Sequence, residues 1–141
     1  MSQGDLTGKV VLVVEDDYIQ ARIIADALTE YGAIIAGPFP TVDEALVCCK
    51  EDPVDAAVLD IKIGEGSSLP LADRLLSENV PFIFLTGYDR NIIPSRFKNI
   101  PHYLKPFVGS DAPAALVLAM AQARVRTNRH RLPPGRSPAL K

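Results

Sequence analysis

Val10-Val11-Leu12-Val13-Val14-Glu15-Asp16-Asp17 reads VVLVVEDD: five β-prone apolar residues running directly into three acids. A continuous β-branched run from Lys9 to Val14, rather than an alternating one, fits a strand buried on both faces of a parallel sheet. Three carboxylates at the end of such a strand repel one another and resist ionising in a dry interior. The arrangement therefore calls for a positive partner.

The rest of the chain repeats that alternation. From Asp17, residues Ile19, Ile23, Ile24, Ala27 and Leu28 follow the helical period, with Gly32 at the stop position. Ala33 to Ala36 reads as a second strand, closed by Gly37, Pro38 and Pro40. Thr41-Val42-Asp43-Glu44 has the form of a capping box, and Val42, Ala45, Leu46 and Cys49 mark one face of the helix that follows. A strand over Asp55 to Asp60, a glycine loop at Gly64 and Gly66, a helix over Leu69 to Glu78 and a strand over Pro81 to Leu85 come next. A weaker helix over Asn91 to Lys98 is interrupted by Pro94; Ile100 to Leu104 is a fifth strand and Ala112 to Val125 a fifth helix. Five such units with right-handed crossovers predict an α/β fold with a doubly wound, five-stranded parallel sheet of flavodoxin-like (βα)5 type.

Composition bounds the function. With 141 residues, 48% hydrophobic, one core and one domain are expected, spanning residues 8–124 between a short N-terminal tail (1–7) and a basic, proline-containing tail (125–141) that reads as disordered. That tail is too short for an output domain such as a helix-turn-helix, so no DNA-binding domain is expected. Net charge is only −2, which argues against general nucleic-acid binding. The apolar runs fall below the about 20 residues a membrane span needs, and no secretory signal precedes them, so a soluble cytoplasmic protein is expected. Cys48 and Cys49 are adjacent on a helix, where side chains diverge by about 100°, and read as reduced packing residues.

In a doubly wound sheet the site lies outside the carboxyl ends of the strands. Those ends carry Glu15-Asp16-Asp17, Asp60, Thr86-Gly87 and Lys105-Pro106. Asp17, preceding an amphipathic helix, reads as its N-cap; Glu15 and Asp16 have no such structural use. Oxygen ligands without His or Cys prefer Mg²⁺. An aspartate can attack phosphorus and hold the phosphoryl group while a metal and an ammonium balance its charge. Asp60 is the natural acceptor, Lys105 the ammonium, and Thr86 a hydroxyl donor to a phosphoryl oxygen.

On these residues the sequence resembles the receiver domain of two-component response regulators over about residues 8 to 124. The matching motifs are Glu15-Asp16, Asp60 in VLDIKI, Thr86 in FLTGY and Lys105 in YLKPF. PFIFLTGY is also similar to the P-F-x-F-A-T-G-Y signature of a subgroup of stand-alone bacterial receivers, with Leu85 in place of Ala. The resemblance implies direct Mg²⁺ ligation by Asp16 and Asp60, ligation through water by Glu15, and a further ligand in the backbone carbonyl of Lys62. It implies a single-domain regulator phosphorylated by a histidine kinase or phosphotransfer protein, self-catalysing phosphotransfer and dephosphorylation only. Signalling would run through protein contacts or a homodimer on the helix 4, strand 5, helix 5 face. The usual aromatic switch position holds His102, so Tyr88, His102 and Tyr103 are all switch candidates, while Lys62 and Tyr88 occupy places that modulate dephosphorylation in the family. The alternative is a pseudo-receiver that acts without phosphorylation. A haloacid-dehalogenase-type phosphatase needs an acid where Lys62 stands, and no phosphate-binding glycine loop follows the first strand.

Overall fold

The computed structural model describes residues 5–64, 66–87, 93–105 and 111–131, with side chains described as far as Arg124. Strands β1 (Val10–Val14), β2 (Ile34–Phe39), β3 (Ala56–Asp60), β6 (Phe82–Thr86) and β7 (His102–Leu104) form one parallel sheet in the order β2-β1-β3-β6-β7. Helices α1 (Tyr18–Glu30), α2 (Val42–Glu51), α3 (Leu69–Ser77) and α4 (Ala112–Arg131) link and cover it. This is the doubly wound flavodoxin-like arrangement that the alternation predicts.

Strand residues alternate between two apolar clusters. Val11, Val13, Val58, Ile83 and Leu85 pack with Ile24, Leu28, Leu116 and Ala119 of α1 and α4. Leu12, Val14, Leu59, Phe82 and Phe84 pack with Ala45 of α2 and Leu71 and Leu75 of α3. Because β1, β3 and β6 have helices over both faces, their sequences are unbroken apolar runs rather than alternating ones. In α4, Leu116 and Ala119 are buried while Leu118 is exposed, so the run Leu116 to Met120 turns mostly inward.

Several expected boundaries shift. Strand β2 does not close at Gly37: it continues through Pro38 to Phe39, whose pairing with Val14 resumes after an irregularity beside Leu12. A proline is tolerated because β2 is an edge strand with one side unpaired. Gly37 sits at φ +101, and a Cβ there would meet the Phe39 amide nitrogen at 2.7 Å, so the turn of chain accepts only glycine. The capping box at α2 is half formed: the Thr41 hydroxyl oxygen accepts from Glu44 N–H, but the Glu44 carboxylate takes the Thr41 hydroxyl hydrogen rather than a backbone one. The glycine loop after β3 contains a two-residue antiparallel ribbon, β4 (Lys62–Ile63) with β5 (Gly66–Ser67).

Three segments depart more. Of the helix expected over 91–98, residues 91 and 92 lie outside the described residues, and the remainder holds only a 3-10 turn at Ser95–Phe97, because Pro94 is extended and the chain turns at once into β7. Helix α4 runs to Arg131 rather than ending near Val125: Ala, Gln and Arg are good helix formers and the next proline is Pro133. Residues 132–141 of the expected tail lie outside the described residues. At the other end, Leu6 of the expected N-terminal tail is fully buried against the α1/α4 cluster, its N–H donating to Tyr31 O, since one apolar residue amid polar ones carries no periodic signal.

The 3-10 turn is held from both sides. Phe97, fully buried, meets Phe82 and Phe84 edge to face at centroid distances of 6.3 and 5.4 Å. Outside, Arg96 donates to both oxygens of Asp73 on α3, at 2.7 and 2.9 Å. Replacing Phe97 by Ala is expected to cost about 3–5 kcal/mol in chemical denaturation, while Leu118→Ala, on an exposed site, stays within about 0.5 kcal/mol of wild type; equal costs would contradict this packing.

Candidate functional site

Strand register brings the chemistry together. Val14 pairs with Leu59, so Glu15 emerges beside Asp60; Asp60 pairs with Leu85, so Thr86 is one step further on; Thr86 pairs with Leu104, and Lys105 follows. The last step is fixed by Lys105 N–H donating to Thr86 O at 2.7 Å. The ends of four strands, distant in sequence, thus share one rim.

The three acids at the end of β1 divide their work. Asp17 caps α1, Oδ1 accepting from Ile19 and Gln20 N–H at 3.0 and 3.1 Å. Glu15 is buried, its Oε2 accepting from Asp17 N–H at 3.0 Å. Asp16 is exposed, and its Oδ2 accepts from Gly64 N–H at 2.6 Å. Gly64, which in sequence reads only as a loop residue, sits at φ +59 and turns the chain after β3 so that its amide reaches Asp16. Glu15, Asp16 and Asp60 each offer a carboxylate oxygen within 4.8 Å of the other two. Lys105 Nζ lies 2.9 Å from Asp60 Oδ2 and 3.2 Å from Glu15 Oε1. Glu15 Oε1 has that ion pair but no aligned hydrogen bond.

The electrostatics follow from burial and crowding. Burial pushes the Glu15 carboxyl up to about 7; the Asp17 amide opposes this, Asp60 adds to it and Lys105 pulls back. For Lys105, burial works against the charge, but the hydrogen bond to Asp60 and the charges of Asp60 and Glu15 prevail, raising the ammonium above its ordinary value. One ammonium compensates at most one of three carboxylates, and the donor set is all oxygen, at a separation one small cation can bridge; these residues fit Mg²⁺.

Thr86 is buried, its hydroxyl 3.3 Å from Gly87 O, a weak contact that leaves it ready to reorient. Lys62 opens β4 with its side chain exposed. His102 and Tyr103 are half-buried on β7 and face opposite sides of the sheet: His102 pairs in register with Phe84, and Tyr103 with Leu85, packing on the α1/α4 cluster. Tyr88 lies outside the described residues.

The model of the response regulator receiver domain matches residues 11–100. The chain belongs to this family. Among curated proteins it is similar to the transcriptional regulatory protein PdtaR of Mycobacterium tuberculosis, 25% identical over 118 residues, covering 81% of this chain and 58% of that protein. It is similar also to the acid tolerance regulatory protein ActR of Sinorhizobium medicae, 29% identical over 124 residues, 82% of this chain and 63% of that protein. The chain therefore spans about three fifths of the length of these relatives. Among solved structures, that of SdrG from Sphingomonas melonis is 32% identical, with a TM-score of 0.63, covering 86% of this chain and 99% of that one. No helix among the described residues is long and apolar enough to cross a membrane.

Glu15 provides a pH test. Its folded-state value near 7 against an ordinary 4.5 means the folded protein holds that proton more tightly. Its ionisation therefore destabilises the fold progressively as pH rises from about 4.5 through 7. With a chelator present, Glu15→Gln should be near neutral in stability at about pH 4.5 and more stable than wild type at about pH 8, by up to about 3 kcal/mol. Denaturant midpoints across pH measure it; a pH-independent difference would contradict the burial argument.

Proposed function

We propose that this receiver domain takes a phosphoryl group on Asp60 from a phosphorylated histidine of a kinase or phosphotransfer protein, in a Mg²⁺-dependent reaction, and passes the signal on through protein contacts. The observation that carries the reading is the pairing of buried Asp60 with the Lys105 ammonium at 2.9 Å, within the Glu15–Asp16 acid cluster. An Asp60 carboxylate oxygen attacks phosphorus, and the bond from phosphorus to the donor nitrogen breaks, its electron pair leaving with the imidazole. Glu15, Asp16 and Asp60 would hold Mg²⁺ together with the Lys62 carbonyl, and the bound ion supplies charge neutralisation for the transferred oxygens. Lys105 can then turn from the carboxylate to a phosphoryl oxygen, and the Thr86 hydroxyl can donate to another.

Phosphorylation adds about one further negative charge where three carboxylates already crowd. Drawing Thr86 and Lys105 inward pulls on β6 and β7 together, because the Lys105 amide is bonded to the Thr86 carbonyl. Leu104 on β7 and Leu118 on α4 are exposed and form the face on which a downstream protein or a second copy would read the change. His102 and Tyr103 on that strand, with Tyr88, are the residues proposed to switch. On the opposite flank, Tyr18, Ile19 and Ile23 of α1 are exposed next to the acids, an apolar surface suited to the phosphodonor. The motif PFIFLTGY supports placement in the P-F-x-F-A-T-G-Y subgroup.

Intact mass after incubation with Mg²⁺ and acetyl phosphate tests the chemistry: one phosphoryl group on wild type, none on Asp60→Asn and none in chelator. No adduct on any of them would leave a partner-binding module without phosphorylation. The donor surface is separable: Ile19→Asp should slow transfer from a phosphorylated histidine kinase about tenfold, equivalent to about 1.4 kcal/mol, while labelling by acetyl phosphate is unchanged.

A further inference from the structure

Of the three acids in the cluster, Asp16 is the one whose side chain burial does not fix. Glu15 and Asp60 are buried, whereas Asp16 is exposed. A solvent-facing carboxylate samples several rotamers, and restricting them on binding a cation subtracts from affinity. In the structure Asp16 Oδ2 accepts from the Gly64 amide at 2.6 Å, a bond across 48 residues between the turn after β1 and the loop after β3.

The donor is itself held by the core. Ile61 and Ile63 are buried in the cluster beneath α2 and α3, with exposed Lys62 between them, so β4 is pinned on both sides of that lysine. Ser68 N–H donates to Ile61 O at 2.8 Å and closes the base of the loop, while the pairing of Lys62 with Ser67 and of Ile63 with Gly66 closes its middle. Gly64 follows at φ +59, with nothing within 4 Å of where a Cβ would lie, so the position demands a left-handed backbone rather than space. That turn brings the amide to Asp16. A carboxylate has about four lone-pair sites on its two oxygens, so one that accepts a single amide can still meet a cation. We infer that Gly64 is a positioning residue for the metal site: its N–H holds the Asp16 carboxylate where an oxygen lies within 4.8 Å of those of Glu15 and Asp60. The inference rests on the reading of these acids as Mg²⁺ ligands. The bond also ties the turn that bears Asp16 to the ribbon that bears Lys62, whose carbonyl the same reading assigns to the ion, so occupancy of the site and closure of the tie reinforce each other.

Exchanging Gly64 for glycolate turns its amide into an ester and removes the N–H without adding a side chain. Calorimetric titration of the full chain with Mg²⁺ should then give a dissociation constant about fivefold weaker than that of wild type, while the two proteins unfold at closely similar denaturant concentrations in chelator. Gly64→Asn, which keeps the N–H and tolerates positive φ, should bind Mg²⁺ within about twofold of wild type. In wild type, hydrogen exchange at the Gly64 amide should slow as Mg²⁺ saturates the protein, a response that a turn with a structural role alone does not give. Equal affinities for wild type and ester, or a Gly64 amide whose exchange ignores Mg²⁺, would overturn the positioning role and leave the Asp60 chemistry standing. Folded wild type that binds no Mg²⁺ would overturn both.

Discussion

Three carboxylates and one ammonium at the rim of a hydrophobic sheet set the terms for the rest of the molecule. Glu15 and Asp60 are almost without solvent, and Glu15 Oε1 has no aligned hydrogen bond. A buried charge left uncompensated costs several kcal/mol, so the group of side chains is under standing electrostatic stress that Lys105 relieves only in part. A cation at this rim would relieve the crowding that one ammonium leaves.

That stress is tolerable because the scaffold beneath it is not easily deformed. β1, β3 and β6 are sandwiched by two separate apolar clusters, and the registers that align Glu15, Asp60, Thr86 and Lys105 are fixed by ladders several residues deep into those clusters. A one-residue slip in any strand would send its whole set of side chains to the wrong face. The polar rim thus inherits its precision from residues that have no chemical part in it. β7 differs: it is three residues long, lies at the sheet edge and exposes Leu104. It is the least anchored of the strands bearing a site residue, and so the one through which a change at the rim can travel at least cost.

The fold was legible because buried parallel strands write themselves as apolar runs, and the site was legible because each of those runs ends in a group that has no business in a core. Asp17 could be assigned to the helix and Glu15 and Asp16 to the site by the economy of a single N-cap, and their hydrogen bonds divide in that way. What sequence could not supply was anything decided by pairing at a distance. Whether β2 stops at Gly37 depends on where Val14 finds its partner; whether Leu6 is tail or core depends on Tyr31; and the amide that fixes Asp16 belongs to Gly64, 48 residues later. The length of α4 was misjudged for a different reason: a run of arginines reads as a solvated tail, yet arginine supports a helix nearly as well as alanine once a buried first half has nucleated it.

The described part of the segment between β6 and β7 shows how few contacts can fix a short turn. A long amphipathic helix there would have bound itself to the core through many contacts. Pro94 instead leaves a 3-10 turn held by one ring, Phe97 among Phe82 and Phe84, with Ile93 and Ile100 packed on the same cluster, and by one guanidinium, Arg96 on Asp73. The ring contributes most, being wholly buried; the ion pair is exposed and contributes little to stability, but its two-pronged geometry fixes orientation. Among the described residues the turn is therefore anchored by packing within the core and oriented by an ion pair outside it, a division in which the buried contacts set stability and the exposed pair sets geometry.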